Sequence, residues 1–337
     1  MRRTIWLLLQ LALGIGLIWG LNLTLSRADE AARLADLPSG WRIMRPPHEV
    51  SALSVAGDVV WAGGRDGLTL IDRRSGELLP LPPSTPSFRY VSDILHDRQG
   101  QVWIAWEGGV SRLRERHWET LGTPKGLPPG PATVVYEDQD GTVWIGSRTG
   151  LFCSRSGRIE PFRRLPTAGV DEILEDREGA MWFGSAAVTG GGLSRLDHQG
   201  LTFWTVKQGL AHNSVNALLQ DHKGVLWVGT GFSRHGGASR LIDGAWRNLF
   251  KPDGLAGEKV RSLFEDREGR LWIGSEYDGI VVFDQGERYL LTPETGLAGW
   301  EVKEMLQDAD GQYWLGTEDG VSRLSRIDWE KLRKGGA

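Results

Sequence analysis

The side chains that could carry chemistry in this chain are thinly spread. His212, Asn213 and Ser214 place an imidazole and a hydroxyl in three consecutive residues. A nucleophile and its base need separate elements to orient them, so this adjacency alone makes no triad. The segments DQDG (Asp138 to Gly141) and DADG (Asp308 to Gly311) set carboxylates at alternate positions, as calcium loops do. A true calcium loop continues for about 12 residues to a terminal Glu. Here the chain runs at once into VWIG or YWLG, and hairpin-turn chemistry accounts for both segments. Gly190-Gly191-Gly192 lacks the following helix and the Lys-Ser/Thr pair that would complete a phosphate cradle. The seven histidines show no metal-ligand spacing. The expectation is no catalytic residue, no metal and no cofactor.

What remains is recognition. Arg89, Tyr90, Trp106, Arg148, His212, Asn213, Arg234, His235, Tyr277 and Trp300 are the candidate binding residues. Arginine and aromatic side chains dominate binding energetics where they gather on one surface. Whether they gather depends on the elements that hold them.

Those elements repeat. HDRQGQVWIAW, EDQDGTVWIGS, EDREGAMWFGS, QDHKGVLWVGT, EDREGRLWIGS and QDADGQYWLGT align directly, and VAGDVVWAGG is a weaker first copy. Their tryptophans are Trp61, Trp103, Trp144, Trp182, Trp227, Trp272 and Trp314, spaced by 42, 41, 38, 45, 45 and 42 residues. That period is the length of a four-stranded propeller blade. In each repeat a short apolar strand meets Asp-x-x-Gly, a turn in which Asp accepts local N–H groups and Gly takes the left-handed conformation. The next strand is apolar at consecutive residues, as when both faces are buried. A third strand carries SRL at Arg112, Arg195, Arg240 and Arg323; these arginines are expected at a blade edge, exposed or paired with an acid. A more polar fourth strand fits the outer edge. The sequence thus predicts an all-β fold, a single seven-bladed β-propeller. Closure falls to GWRIM (Gly40 to Met44), with RIDWEKL (Arg326 to Leu332) as the rival closing strand.

The chain from the signature Trp to the Gly opening the third strand is six residues in blades 1, 2, 3 and 7, seven in blade 6, and ten in blades 4 and 5. Insertions in repeat folds fall in surface loops, where function concentrates. These loops share a face with the links between blades, so the ten candidates belong to one side of the ring. The insertions of blades 4 and 5 should form a raised rim beside the channel mouth.

The tandem pattern V-x-x-[LI]-x-[EQ]-D-x-x-G-x-x-W-[ILV]-G-[ST]-x-x-x-G-[LV]-x-R-[LF] resembles the two-component regulator propeller repeat, from about Trp41 to Trp329. The resemblance implies a sensory or scaffold propeller; in that family such propellers are periplasmic sensor regions of membrane-bound hybrid histidine kinases. The sequence departs by presenting one propeller with its apolar segment ahead of it, and no kinase, receiver or DNA-binding segment.

Residues 5–25 form an uncharged apolar run behind Arg2 and Arg3. At 1.5 Å per residue it matches the roughly 30 Å hydrocarbon core. Its length favours a transmembrane signal anchor over a cleavable signal peptide, for which Ser26-Arg27-Ala28 would be the cleavage site. The organisation expected is 1–26 anchor or signal peptide, 27–39 linker, 40–329 propeller and 330–337 tail. The propeller would face the extracytoplasmic side, or be secreted after cleavage. The net charge of -4 with no basic run argues against nucleic acid. Cys153 is the single cysteine, so no intrachain disulfide forms. The expected role is binding a small ligand or a protein partner, such as a separate membrane signalling protein. The alternatives are a propeller enzyme of lactonase or lyase type and a structural scaffold.

Overall fold

The computed structural model describes residues 37, 40–121, 130–155 and 158–334. Its strands form seven four-stranded antiparallel sheets, each built from consecutive strands except the last. That sheet takes its outer strand, Trp41–Met44, from the start of the propeller and pairs it with Gly320–Leu324. Trp41 lies opposite Leu324 and Met44 opposite Val321. The ring therefore closes through GWRIM, leaving no open inter-blade edge. RIDWEKL forms a helix, Arg326–Arg333, capped by the Ser325 hydroxyl, which accepts from Asp328 N–H. The boundary expected at 329 falls inside this helix.

One polar cluster repeats in six blades. Asp176 Oδ1 accepts from the N–H groups of Glu178 and Ala180, at 3.0 and 2.9 Å. Its Oδ2 accepts the indole N–H of Trp182 at 2.7 Å. Asp97, Asp138, Asp221, Asp266 and Asp308 hold Trp103, Trp144, Trp227, Trp272 and Trp314 in the same way. A buried indole N–H left unpaired would be costly, and the turn aspartate removes that cost. The Asp of the motif thus fixes the turn and the core together. The preceding Glu or Gln joins the blades: Glu137, Glu175, Gln220, Glu265 and Gln307 each accept an N–H from the turn of the previous blade.

The Gly two residues after the Trp is dictated by the neighbouring blade. A Cβ on Gly184 would sit 2.5 Å from Val215 of blade 5, so any side chain would push the blades apart.

Of the two surroundings expected for the SRL arginines, pairing with an acid holds for Arg112 (with Glu119) and Arg195 (with Asp197), and none of the four is exposed. They lie half-buried or buried over the signature indoles: Arg112 on Trp103 at 5.0 Å, Arg195 on Trp182 at 5.5 Å, Arg240 on Trp227 at 5.4 Å and Arg323 on Trp314 at 5.6 Å. This is cation–π packing that covers the core tryptophan with the guanidinium plane. Where the arginine is missing, an aromatic ring takes its place. Phe162 covers Trp144, and Trp329 of the C-terminal helix covers Trp272. The helix is thus docked by Trp329, fully buried, and by Glu330, which receives Arg270 at 2.6 Å.

Residues 5–25 lie outside the described residues. Among the described residues no helix is long and apolar enough to cross a membrane.

Candidate functional site

The links between blades and the loops from second to third strand lie together, tied by backbone contacts. Gly231 N–H donates to Ser214 O, Gly279 N–H to Trp300 O and Arg65 N–H to His48 O. On this face the insertion of blade 5 is an extension of its second and third strands, Leu226–Phe232 and His235–Ile242, which meet at a turn of Ser233 and Arg234. In blade 4 the extra residues form a loop pinned by the Ser214 hydroxyl, which donates to Ala186 O at 2.7 Å.

These loops bring half of the ten candidates together. Arg234 lies over the Tyr277 ring at 5.2 Å, across the junction of blades 5 and 6. His235 is close enough to His212 to oppose its protonation; burial first, then this repulsion, holds the His212 pKa below its ordinary value. The Tyr277 hydroxyl donates to Glu276 at 2.9 Å. Phe232, Tyr277 and Trp300 on this face expose 50%, 45% and 41% of their surface.

The other candidates have different surroundings. Asn213 is used structurally, its Oδ1 accepting from Val206 N–H at the start of a short 3-10 turn. Trp106 packs edge-on against Phe88 and donates its indole N–H to Ser111, which makes it part of the blade core. Arg89 and Tyr90 form an exposed pair on the link between blades 1 and 2, with the guanidinium 5.8 Å from the ring. Arg148 stands exposed in blade 3, its charge acting on Asp171.

Inside the ring the structure places residues that the sequence reading missed. The third position of the inner strands carries Asp93, Glu172 and Glu304 in blades 2, 4 and 7, where blades 1, 3, 5 and 6 have Ala52, Val134, Ala217 and Ser262. All three are half-buried on the inner strands of the ring. Burial raises all three pKa values, Asp93 to about 6, Glu304 to about 8 and Glu172 well above its ordinary value; the charge of Asp93 adds to the shift of Glu304, and the charges of Glu304 and Asp93 to that of Glu172. The repeat alignment held the signal, an acid recurring where small or apolar residues are usual. Nearer the link face, Lys303 bridges Glu49 and Glu301, and Glu301 also receives Arg261 at 2.9 Å. Lys259 pairs with Glu276 beside them. Among the described residues, no three His, Cys, Asp or Glu side chains are grouped to hold a metal ion.

The family model for the two-component regulator propeller matches residues 126–149, 209–232 and 254–277. Each stretch runs from a link through the inner strand and its turn to the signature Trp strand. This chain carries two-component regulator propeller repeats. The regulator-type ring superimposes on the extracellular domain of a hybrid two-component system from B. thetaiotaomicron with a TM-score of 0.76 at 20% identity, over 89% of this chain and 42% of that one. The chain therefore spans less than half the length of that sensor domain. Virginiamycin B lyase from Staphylococcus aureus is also similar, with a TM-score of 0.63 at 16% identity, over 85% of this chain and 98% of the lyase. So is PorZ, a surface component of the type-IX secretion system of Porphyromonas gingivalis, with a TM-score of 0.65 at 13% identity, over 88% of this chain and 49% of PorZ. No curated protein sequence matches this chain. At these identities the likeness shows the propeller fold, and fold alone does not fix function.

Proposed function

We propose that this chain is a membrane-anchored, extracytoplasmic binding propeller, a sensor or accessory module of a signalling system. Its link face at blades 5 and 6 takes a small ligand or a protein partner. The observation that carries this reading is the rim itself: Arg234 on Tyr277, His235 beside His212, and bare Phe232 and Trp300. Rigid aromatic anchors bordered by a guanidinium and imidazoles supply both apolar area and charge-assisted hydrogen bonds. The extracytoplasmic placement draws on the apolar run at residues 5–25 and on the likeness to an extracellular sensor domain.

The test is a photo-crosslinking amino acid placed at Phe232 in the full chain, in its own membrane, with Gln199 on the opposite face as control. Specific adducts at 232 and none at 199 are the expected result. Adducts at 199 alone would contradict the reading. A propeller enzyme is the second reading, and one observation favours it. The Glu304 carboxyl stays protonated near neutral pH, the state a general acid needs.

A further inference from the structure

Opposite the link face, where blade 5 meets blade 6, lies a cleft of about 370 Å³. Its walls include Trp227, Arg240 and Leu249 from blade 5 and Leu271 and Phe283 from blade 6, with Lys223 at its edge. The repeats provide an internal comparison for what this cleft contains. Between blades 6 and 7 the surface of Trp272 is filled by Trp329 of the C-terminal helix. Between blades 5 and 6 the corresponding Trp227, itself buried in the blade core, is faced by Arg240 where Trp272 is faced by Trp329.

Arg240 is the exception among the four SRL arginines. Arg112 pairs with Glu119 at 2.8 Å, Arg195 with Asp197, and Arg323 donates to the carbonyls of Arg73 and Arg74. The Nε–H of Arg240 is buried without an acceptor, as is that of Arg112, but only Arg240 among the four has no side-chain hydrogen bond or ion pair at all among the described residues. The buried Nε–H is left without an acceptor and the rest of the guanidinium has no protein partner, so an anion entering the hollow would supply charge-assisted hydrogen bonds. The two carboxylates lining the cleft are already engaged. Asp221 accepts from Lys223 N–H, Val225 N–H and the Trp227 indole. Glu265 accepts the backbone N–H of His222 with one oxygen and lies 2.6 Å from its ring with the other.

We infer that this cleft is an anion site, in which Arg240, aided by Lys223, holds the phosphate or carboxylate of a small molecule whose apolar body lies against Leu249, Leu271 and Phe283. The site lies away from the rim and does not depend on the function proposed above. Its volume is that of a small-molecule pocket, and its mixture of apolar wall with few polar groups fits the same class.

Phenyl phosphate serves as probe, with inorganic phosphate beside it, and the readout is the Trp227 indole N–H resonance in protein labelled with 15N-tryptophan. Phenyl phosphate should shift this resonance in a saturable way, and phosphate alone should bind several-fold more weakly. Arg240→Val should weaken phenyl phosphate binding about tenfold or more, the effect of losing a charged hydrogen-bond donor. Arg240→Lys, which keeps the charge and loses the planar fork, should fall between. Arg112→Val, at the paired position of blade 2, should leave binding unchanged. Circular dichroism and melting verify that each variant is folded. A Trp227 resonance unmoved by millimolar phenyl phosphate would overturn the assignment, as would wild-type affinity in folded Arg240→Val.

Discussion

Replacing Trp272 by Ala should lower the stability of the ring by about 3–5 kcal/mol, the range for truncating a large buried aromatic. Trp272 is fully buried, with Tyr313 stacked at 4.5 Å and Trp329 tilted against it at 4.8 Å. Its indole N–H donates to Asp266 at 3.0 Å, and the same carboxylate oxygen receives the Tyr313 hydroxyl at 3.1 Å. The truncation opens a cavity, undocks the helix that Trp329 anchors, and leaves Asp266 short of a donor. Trp272→Phe keeps a ring and loses only the hydrogen bond, so it should cost less, about 1–3 kcal/mol. Urea unfolding checks both, with the midpoint falling and the slope little changed. A cost below about 1 kcal/mol for the alanine variant would mean that the blades are not held by their signature tryptophans.

The blade core was legible because the same residues recur at fixed spacing. Asp-x-x-Gly followed by the Trp strand identified turn, strand and core. What one repeat could not reveal was the second task of each polar residue. Nothing in EDREG says that the Asp also receives the indole N–H, or that the Glu binds the previous blade. For the arginine of SRL the acid partner was legible and its seat on the indole was not. Its charge suggested an exposed edge, whereas its stem and flat guanidinium suit the face of an indole. RIDWEKL was ambiguous because seven residues with alternating apolar positions can serve as strand or helix. The decisive feature is tertiary: GWRIM already occupies the outer edge of blade 7. On the link face, positions were readable from loop lengths and roles were not. Asn213 caps a turn and Trp106 packs inward, contacts to near neighbours in sequence that only the folded loop geometry sets.

The channel carboxyls should make the protein less stable as pH rises. Glu304 is raised from 4.5 to about 8, first by burial and then by the charge of Asp93. The folded state therefore retains a proton that the unfolded chain has released, and the linkage sign follows. Stability from this group is fully present below pH 4.5 and is lost progressively as pH climbs to about 8. Asp93, raised from 3.8 to about 6, acts in the same sense over a lower window. Glu304→Gln fixes the neutral form and also removes a repulsive charge from Glu172. The variant should match the wild type near pH 4.5, where both groups are neutral in the fold. Near pH 9 it should be more stable, by on the order of 2–4 kcal/mol. Melting temperatures of both proteins across this range check the claim. Parallel pH profiles would show that Glu304 is fully hydrated in the channel.

The central claim, that the link face at blades 5 and 6 is the binding site, has one direct test. The insertions at Ala186–Gly191 and Phe232–Gly236 are shortened so that both blades keep the six-residue spacing found in blades 1, 2, 3 and 7. Capture of the partner crosslinked through position 232 of the intact chain is then measured on the same samples as thermal melting. Capture should be lost while the melting transition is kept, because these loops lie outside the blade core. Capture that persists at its original level in the shortened, folded protein would contradict it.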